Sequence, residues 1–417
     1  MVRLGTYFQI RKHSARQSAF MRQTKPQPAI SLAEQKAIIL LEGRRVTSYD
    51  VALVAGVSQS AVSRCFKPGA SVSKATYARV MKAAEGLEYI PNAAARSLIT
   101  RRTNIVAIVV SHTSMLYNPA ALSELSQQLN RRGKRALLFT MQHEGEIESI
   151  LTEIWQFQVD GVVAASKLTE AHVNEFKRRK VPLVVFNRHL RDLNVNTVLC
   201  DQYEASRALV TRLAAAGHRQ FALIGGPAQN SVALERLRGA LDRIAELGLP
   251  VAPVFHGCFD YSSGVAGLHE LIARIGAVPD TVICGNDAMA MGCVDAARQH
   301  LHIDVPSQMS VVGCDAVEGS TWLSYELTTL KQPLHKMAVA TADLICNLIE
   351  ADGEFEAEKR VFAAQFVEGE TARLVAPKAV LAALKPVNPG LTRWVRPVCS
   401  TAAGLGCAPL TCRSDRV

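Results

Sequence analysis

The spacing of hydrophobic residues changes near residue 103 and divides the chain into two parts. Between residues 46 and 89, apolar positions recur every three to four residues in short segments, which predicts a small bundle of helices. Beyond residue 103, continuous apolar runs of strand length alternate with segments of helical spacing. The main runs lie at 105–110, 136–140, 161–165, 183–186, 221–224, 281–284 and 310–313.

Continuous apolar strands that alternate with helices are typical of a parallel sheet covered on both faces. The pattern extends over residues 103–378, which is too long for one small lobe, so we expect an α/β core of two doubly wound lobes. Ligands of such sheets sit beyond the carboxyl ends of the strands, and a two-lobed core would hold its ligand in the cleft between the lobes.

The first helical stretch has the caps of a helix-turn-helix. Thr47 is placed to cap a helix, with Asp50 at the third position facing the free backbone amides, and Gly56 supplies the left-handed residue that ends it. Ser58 then caps a second helix after a three-residue turn. The second helix presents outward Gln59, Ser60, Ser63 and Arg64. Glutamine and arginine side chains form paired hydrogen bonds with adenine and guanine in the major groove, so this pattern favours a DNA-binding helix-turn-helix. The alternative interpretation of these helices is a generic helical bundle that binds no DNA.

Two further helices flank this motif. A short helix is predicted over residues 31–41, because Ser31 and Glu34 have the spacing of a capping box. A third helix of the bundle begins at Ser73, and Pro91 stops the helical pattern.

The positive charge of the chain is concentrated at its N-terminal end. The formal net charge is +10, and residues 1–102 carry 17 Lys and Arg against 5 Asp and Glu, whereas the other 315 residues carry 30 against 32. A localised basic block indicates a polyanionic partner, most often nucleic acid. Charge alone leaves open a solvated basic tail without a partner.

The pattern and the charge together predict five segments. They are a basic, partly disordered N-terminal extension (1–45), a helix-turn-helix domain (46–90), a short helical segment and linker (91–102), a two-lobed ligand-binding domain (103–378) and a disordered tail (379–417). The tail contains four prolines after residue 385 and no heptad pattern, which argues against a coiled coil.

Other function classes lack their sequence signals. No apolar run has the length of about 18 residues that a membrane helix needs, and no secretory signal is visible in residues 1–20, so we expect a cytoplasmic protein without membrane contact. The ten cysteines form no C-x-x-C pair, and His300 with His302 lacks further ligands for a metal. No nucleophile, phosphate-loop or zinc-protease motif appears, so we expect no enzyme activity and no cofactor.

The motifs of the basic domain resemble the head of the lactose-repressor/galactose-repressor (LacI/GalR) family. The resemblance is carried by residues 47–64, 72–73 and 88–92, and it extends from about Val46 to about Pro377. It implies a sequence-specific DNA-binding regulator, acting as a repressor, that pairs as a homodimer on a near-palindromic operator. It also implies that the residues in contact with double-stranded DNA are Thr47, Ser58, Gln59, Ser60, Ser63 and Arg64. Of these, Gln59, Ser60 and Arg64 of the second helix read bases, and Ser63 lies nearby for phosphate or base.

Residues 92–99 resemble the hinge helix of that family, which becomes ordered on the operator. The family resemblance thus implies that 91–102 is a hinge helix and linker and that 103–378 is also the dimerisation domain. The resemblance makes Asn92 its cap and Leu98 an apolar wedge in the minor groove, where unstacking a base step costs a few kcal/mol that additional contacts offset. The alternative for Leu98 is simple packing within a linker.

The core motifs resemble the effector domain of the same family, which is shared with periplasmic sugar-binding proteins. They include residues 186–188, 216–219, 224–227, 236–239, 285–292, 312–315 and 327–333. The resemblance implies that the effector is lined by Asn187, Arg188, Arg236, Phe259 and Asp287. The alternatives are a turn at Asn187 and Arg188, a surface charge at Arg236, a core ring at Phe259 and a helix cap at Asp287.

One departure from the family pattern concerns the ligand. Family members often have two aromatic residues after Asn-Pro at the exit of the first strand, whereas this chain has Ala120 and Ala121. The loss of a stacking ring argues against a simple hexose, and the two arginines at 188 and 236 suit an acidic ligand. We expect a sugar or sugar acid that controls operator affinity. The alternative function is a transport-type solute-binding protein with the same core fold.

Overall fold

The computed structural model describes residues 30–67, 69–92, 102–112, 119–142, 144–188, 190, 193–351 and 356–375. The chain forms two compact units. The first comprises residues up to Val106 together with Thr152–Asp160, and the second comprises Ala107–Leu151 and the chain from Gly161 onward. Of the predicted segments, the tail at 379–417 and most of the N-terminal extension lie outside the described residues.

The residues of the head that the structure describes form four helices, which confirms the predicted all-α head. They are α1 (Leu32–Glu42), α2 (Ser48–Ala55), α3 (Gln59–Cys65) and α4 (Lys74–Gly86). The predicted caps are present. Ser31 and Glu34 form the capping box of α1, Gly56 ends α2 with a φ of 62°, and the Ser58 hydroxyl accepts the amide of Ala61 at the start of α3.

The core of the head includes a residue from the segment assigned to the N-terminal extension. Val51, Val62 and Val80 are fully buried, and Ile39 of α1 is 9% exposed within the same cluster. The packed head therefore starts at least as early as α1, whereas the sequence analysis began the domain at residue 46. The apolar residues of α1 lie on several sides of the helix, so the sequence pattern did not indicate which face is buried. In the structure Ile39 is buried, whereas the neighbouring Leu40 and Leu41 are exposed.

The remaining helices and strands form two lobes, each with a six-stranded sheet, which confirms the predicted α/β architecture. The first lobe contains β1 (Ile105–Ser111), α5 (Pro119–Arg131), β2 (Arg135–Met141), α6 (Ile147–Gln156), β3 (Gly161–Ala165), α7 (Glu170–Arg179), β4 (Leu183–Phe186), β5 (Asn196–Cys200), α12 (Leu334–Glu350) and β11 (Lys359–Phe362). Its strand order is β11-β5-β4-β3-β1-β2.

The second lobe contains α8 (Gln202–Ala215), β6 (Phe221–Gly225), α9 (Ser231–Glu246), β7 (Val254–His256), α10 (Tyr261–Ile275), β8 (Thr281–Cys284), α11 (Asp287–Asp295), β9 (Ser310–Asp315), β10 (Thr328–Lys331) and β12 (Gln365–Val367). Its strand order is β12-β10-β9-β8-β6-β7. The pairings are parallel in register, for example Val312 with Thr328, except that the edge strand β12 runs antiparallel to β10.

Within the described residues the chain passes between the lobes at three places. The crossings follow β5, β10 and β11, and the first two contain Gln202 and Gln332. Both glutamines thus lie at carboxyl ends of strands, where parallel sheets bind ligands. No helix in the described part of the chain is long and apolar enough to cross a bilayer.

Candidate DNA-binding surface and ligand site

Helix α3 presents a polar face to solvent, as the sequence predicted. Ala61 and Val62 are buried, whereas Ser60, Ser63 and Arg64 are exposed. Gln59 is half-buried, and its Nε2 donates to the Ser48 hydroxyl 3.1 Å away. Thr47 and Ser58, which cap α2 and α3, are also exposed. Four of the six predicted DNA contacts of the helix-turn-helix therefore lie at the starts of α2 and α3, and the other two, Ser63 and Arg64, lie in the last turn of α3.

A buried carboxylate fixes the start of α2. The amide and the hydroxyl of Thr47 each donate to Asp50 Oδ2 over 2.7 Å. Arg44 donates to both oxygens over 2.7 and 2.8 Å, and Gln35 donates to Oδ1 over 2.6 Å. Burial alone would raise the pKa of Asp50, but the hydrogen bonds from Arg44 and Thr47 hold it below its ordinary value. The ionised carboxylate therefore holds α1 and α2 together.

A basic groove adjoins α3. It encloses about 640 Å³ and is lined by Arg64, Lys67, Lys74 and Tyr77, together with small and apolar residues, and its described lining contains no acid. Lys67 and Lys74 were not among the predicted DNA contacts, although both are exposed cations that follow the second helix in the chain. A groove with this charge suits phosphate oxygens. Asn92 is exposed at the end of the described head, and Leu98 lies outside the described residues.

A closed set of hydrogen bonds joins the ends of the strands in the second unit. Arg236 Nε donates to Gln202 Oε1 over 2.8 Å, and its Nη2 to Asp315 Oδ1 over 2.6 Å. Gln332 Nε2 donates to the same Asp315 oxygen over 2.6 Å. Gln202 Nε2 and Asn187 Nδ2 both donate to Gln332 Oε1, over 3.3 and 2.8 Å. Two predicted ligand residues, Asn187 and Arg236, are therefore connected through residues that the sequence analysis did not select.

Arg236 is a buried cation. Only 6% of it is exposed, which excludes the surface-charge alternative. Burial opposes its charge, but the adjacent Asp315 carboxylate raises the pKa of the guanidinium above its ordinary value. Its Nη1 also donates to the carbonyl of Gly285. In this structure all three nitrogens of the guanidinium have partners within the lobe.

Asp287 is fully buried in the first turn of α11. Its Oδ1 accepts from the Thr329 hydroxyl over 2.6 Å, and its Oδ2 accepts from the Val317 amide over 2.9 Å. The cap of α11 is Asn286, whose side chain accepts the Met289 amide, so the cap alternative for Asp287 does not hold. Burial, together with the charge of Asp315, raises the pKa of Asp287 to about 7.

Asn187 and Arg188 line a polar cavity of about 360 Å³. Asn187 follows β4 with a φ of 50°, a left-handed conformation that asparagine tolerates. Its Oδ1 is buried and has no hydrogen-bond partner among the described residues. Arg188 is buried and donates to the Asn187 carbonyl over 3.0 Å. Other charged residues of the lining are Asp201, Glu204, Glu235, Arg238 and Lys359.

The structure brings the five predicted ligand residues together only in part. Arg236, Phe259 and Asp287 belong to the second lobe and are absent from the described lining of this cavity. Phe259 is half-buried, and its ring covers Gly226, where an added Cβ would lie 2.4 Å from ring atoms. Gly226 immediately follows β6, so Phe259 lies at the same sheet edge as Asp287.

Two family models match the chain. Residues 47–92 match the model described as bacterial regulatory proteins of the lacI family, and residues 210–372 match the periplasmic binding protein-like domain. The first match covers α2 to the end of the described head. The second covers most of the second lobe and α12.

Curated relatives match over most of their length. The HTH-type transcriptional repressor PurR of Actinobacillus pleuropneumoniae serotype 3 is 28% identical over 310 residues, which are 73% of this chain and 92% of the relative. Catabolite control protein A of Priestia megaterium is 28% identical over 313 residues, 74% of this chain and 93% of that protein.

Solved structures show the same fold. A lac repressor dimer bound to operator and the anti-inducer ONPF superposes with a TM-score of 0.72 at 24% identity, covering 80% of this chain and all of that one. A complex of the transcriptional regulator CelR with cellobiose gives a TM-score of 0.59 at 28% identity, covering 78% of this chain and all of that one.

Proposed function

The chain belongs to the LacI family of DNA-binding transcriptional repressors, and on that premise we propose that a small metabolite held between its two lobes controls its affinity for an operator. The observation that carries the DNA-binding part is the exposed polar face of α3 beside a groove whose described lining residues include three cations and no acid. Arg64 supplies a guanidinium fork for guanine, and the small side chain of Ser60 permits close approach to the bases.

The remaining polar groups of the head position it on the duplex. Thr47 and Ser58 lie at helix starts, where backbone amides and hydroxyls suit phosphate oxygens. Gln59 and Ser63 complete the base-contacting face. For the segment after residue 91 we propose the hinge role, with Asn92 as cap and Leu98 as the wedge in the minor groove.

We propose that the metabolite binds first to Asn187 and Arg188 of the first lobe. The buried Oδ1 of Asn187 can accept a hydrogen bond from a hydroxyl group, and the Arg188 guanidinium suits a carboxylate. Arg236, Phe259 and Asp287 would complete the site from the second lobe. A sugar or sugar acid offers both kinds of group, and the similar regulator CelR was solved with the sugar cellobiose.

The hydrogen bonds between Asn187, Gln332 and the Arg236–Asp315 pair connect the proposed ligand residues to the segments that join the two lobes. Through these bonds, binding of the metabolite would change the relative orientation of the lobes. Asn187 is bonded to Gln332, which contacts the Arg236–Asp315 pair of the second lobe. A ligand that takes over the bonds of Asn187 or Arg236 changes the contacts at the crossing segments. A typical coupling between two such sites is about 1–3 kcal/mol, enough to change operator affinity about 5- to 150-fold.

We propose that the regulator acts as a homodimer paired through its lobes. Trp322 is 58% exposed and Leu323 is 91% exposed, side by side on the second lobe. Large apolar side chains exposed together mark interaction surfaces. A second copy of the chain would cover them and supply the second head that a near-palindromic operator requires.

Selection of duplexes from a random pool by the purified chain tests the proposed function. We expect enrichment of a near-palindrome with two half-sites about one helical turn apart. Enrichment of no sequence would contradict a DNA-binding regulator and favour the solute-binding alternative. A thermal-shift screen of sugars, sugar acids and nucleobases then identifies the metabolite class.

A further inference from the structure

Two exposed histidines face each other on the second lobe. His269 lies on α10, and His300 is the last residue of the helical turn Ala296–His300 that continues α11. Nε2 of His269 lies 3.3 Å from Nδ1 of His300, and the ring centroids are 5.5 Å apart with 26° between the ring planes. The sequence analysis considered His300 only together with His302. The structure instead pairs His300 with a residue 31 positions earlier in the chain.

Close packing of the two helices fixes the backbone that carries these histidines. Gly264 of α10 and Gly292 of α11 leave no room for side chains, because an added Cβ would overlap the carbonyl oxygens of Met289 and Tyr261, respectively. The hydroxyl of Tyr261 also donates to Asp295 Oδ2 over 2.7 Å. The separation of the two histidines is therefore set by rigid elements, which is what a preorganised metal site requires.

The turn that carries His300 is wider than an α-helical turn. The amide of Leu301 donates to the carbonyl of Ala296, five residues earlier, over 3.1 Å, which is the hydrogen bond of a π-helix. Single π turns within helices are rare and occur frequently at functional sites. Here the turn ends at His300, whose ring stacks on the ring of the α10 histidine.

The distance between the two nitrogens suits a shared metal ion. Imidazole nitrogens bind Zn²⁺ at about 2.0–2.1 Å, so two of them lie about 3.3 Å apart in a tetrahedral site. Imidazole is also a good ligand for Cu²⁺ and Ni²⁺, whereas Mg²⁺ and Ca²⁺ prefer oxygen. Each ring remains neutral as a ligand, because it keeps its proton on the nitrogen that faces away from the ion. The observed pair therefore needs little rearrangement to bind a transition metal.

We propose that His269 and His300 together bind one divalent transition-metal ion, with Zn²⁺ as the ion whose geometry matches the pair. Among the residues that the structure describes, no group of three or more His, Cys, Asp or Glu side chains could hold a metal, so water completes the coordination. The ion links α10 to the turn after α11 and stabilises the second lobe by mass action. The site is separate from the proposed DNA and metabolite contacts.

Calorimetric titration of the full-length chain with Zn²⁺ tests the site. The wild type is compared with His269→Gln and His300→Gln, which change exposed side chains. Each variant should bind one ion fewer per chain in the range where the wild type saturates. Loss of one of the two linked ligands weakens binding by about 100-fold, because the second ligand acts at a high effective concentration. The rise in melting temperature that Zn²⁺ causes in the wild type should also be smaller in both variants.

His302→Asn is the matched control. His302 is exposed, lies two positions after His300 and has a left-handed φ of 53°, a conformation that asparagine tolerates. This variant should bind Zn²⁺ as the wild type does. Binding that is lost in His302→Asn and retained in His269→Gln would place the ion between His300 and His302 and overturn the proposal.

Two further results would overturn the site. One is equal Zn²⁺ affinity and stoichiometry in the wild type, His269→Gln and His300→Gln, which would assign the bound zinc to other ligands such as the exposed thiol of Cys258. The other is an equal response to Mg²⁺, which would indicate general attraction of cations to the surface. Neither result affects the proposed function, because the selection of operator duplexes tests that function separately.

Discussion

Arg236 and Asp315 form a buried ion pair in which Nη2 and Oδ1 lie 2.6 Å apart, between α9 and the end of β9. Gln202 and Gln332, from two crossings between the lobes, bind the same pair. The pair therefore connects the second lobe to two of the segments that join the lobes, which are the segments that would bend in the proposed reorientation.

Loss of the Arg236 cation should destabilise the protein. Arg236→Met keeps much of the side-chain volume but leaves the Asp315 carboxylate in a buried site with fewer donors, and breaking such a pair costs about 3 kcal/mol. Urea unfolding of the second unit measures the loss. The control is Arg207→Met, which breaks the exposed Arg207–Glu246 pair and should change stability little. Equal, small effects of both variants would refute the structural role of the buried pair.

Asp287 should make stability depend on pH near neutrality. Its pKa is raised from 3.8 to about 7, so the folded protein binds this proton more tightly than the unfolded chain. The stability that protonated Asp287 contributes is fully present below pH ~4 and is lost as pH rises towards about 7. The raised pKa corresponds to a loss of about 4 kcal/mol over that window.

Asp287→Asn tests this pH dependence, because the amide is neutral at every pH and keeps one acceptor oxygen for Thr329. The free energy of unfolding of the wild type should fall relative to the variant between about pH 4 and 7, and the two curves should run parallel above that. Parallel curves throughout the range would show that Asp287 titrates normally.

Arg64 should determine operator discrimination. Arg64→Ala is expected to weaken binding to the selected operator by about 1–3 kcal/mol and to relax the base preference at one position of each half-site. Arg79→Ala, which removes an exposed arginine from α4, is the control and should leave that preference unchanged. Gel-shift titrations on operator variants distinguish the two, and equal preference in wild type and Arg64→Ala would exclude a base contact.

Asn187 should be required for the metabolite response. Asn187→Gly removes the acceptor and the bond to Gln332 while accommodating the left-handed φ of 50°. The variant should bind the operator as the wild type does in the absence of metabolite but lose the response to it. Asn104→Gly, at another left-handed asparagine with a φ of 57°, should respond normally. Calorimetry with unchanged metabolite affinity in Asn187→Gly would remove Asn187 from the site.

The elements with strong local patterns were predictable. The caps Ser31, Ser58 and Ser73 and the left-handed Gly56 each act within a few residues, so the sequence located all four head helices. Strands such as β3, which are buried throughout, appeared as apolar runs. By contrast, β5 and β10 begin with Asn196 and Thr328 and contain further threonines, so these buried strands lacked a continuous apolar run.

The ligand site was only partly predictable because its contacts join distant parts of the chain. Gln202 and Gln332 are 130 positions apart and meet only after both lobes have folded. Each glutamine follows a strand, which is a signal for the ligand edge of a parallel sheet, but no local pattern indicates that they share Asp315 and Arg236. Resemblance located Arg236 and Asp287, and the structure adds that their polar atoms bind partners inside the lobe.

Footprinting of the selected operator at low ionic strength, with and without each metabolite of the thermal-shift panel, tests the central claim most directly. The account predicts a protected near-palindrome whose occupancy changes at least fivefold with one metabolite, in line with a coupling of about 1 kcal/mol or more. A duplex that is protected equally with every metabolite would contradict control by a ligand, and a duplex that is never protected would contradict the function as a whole.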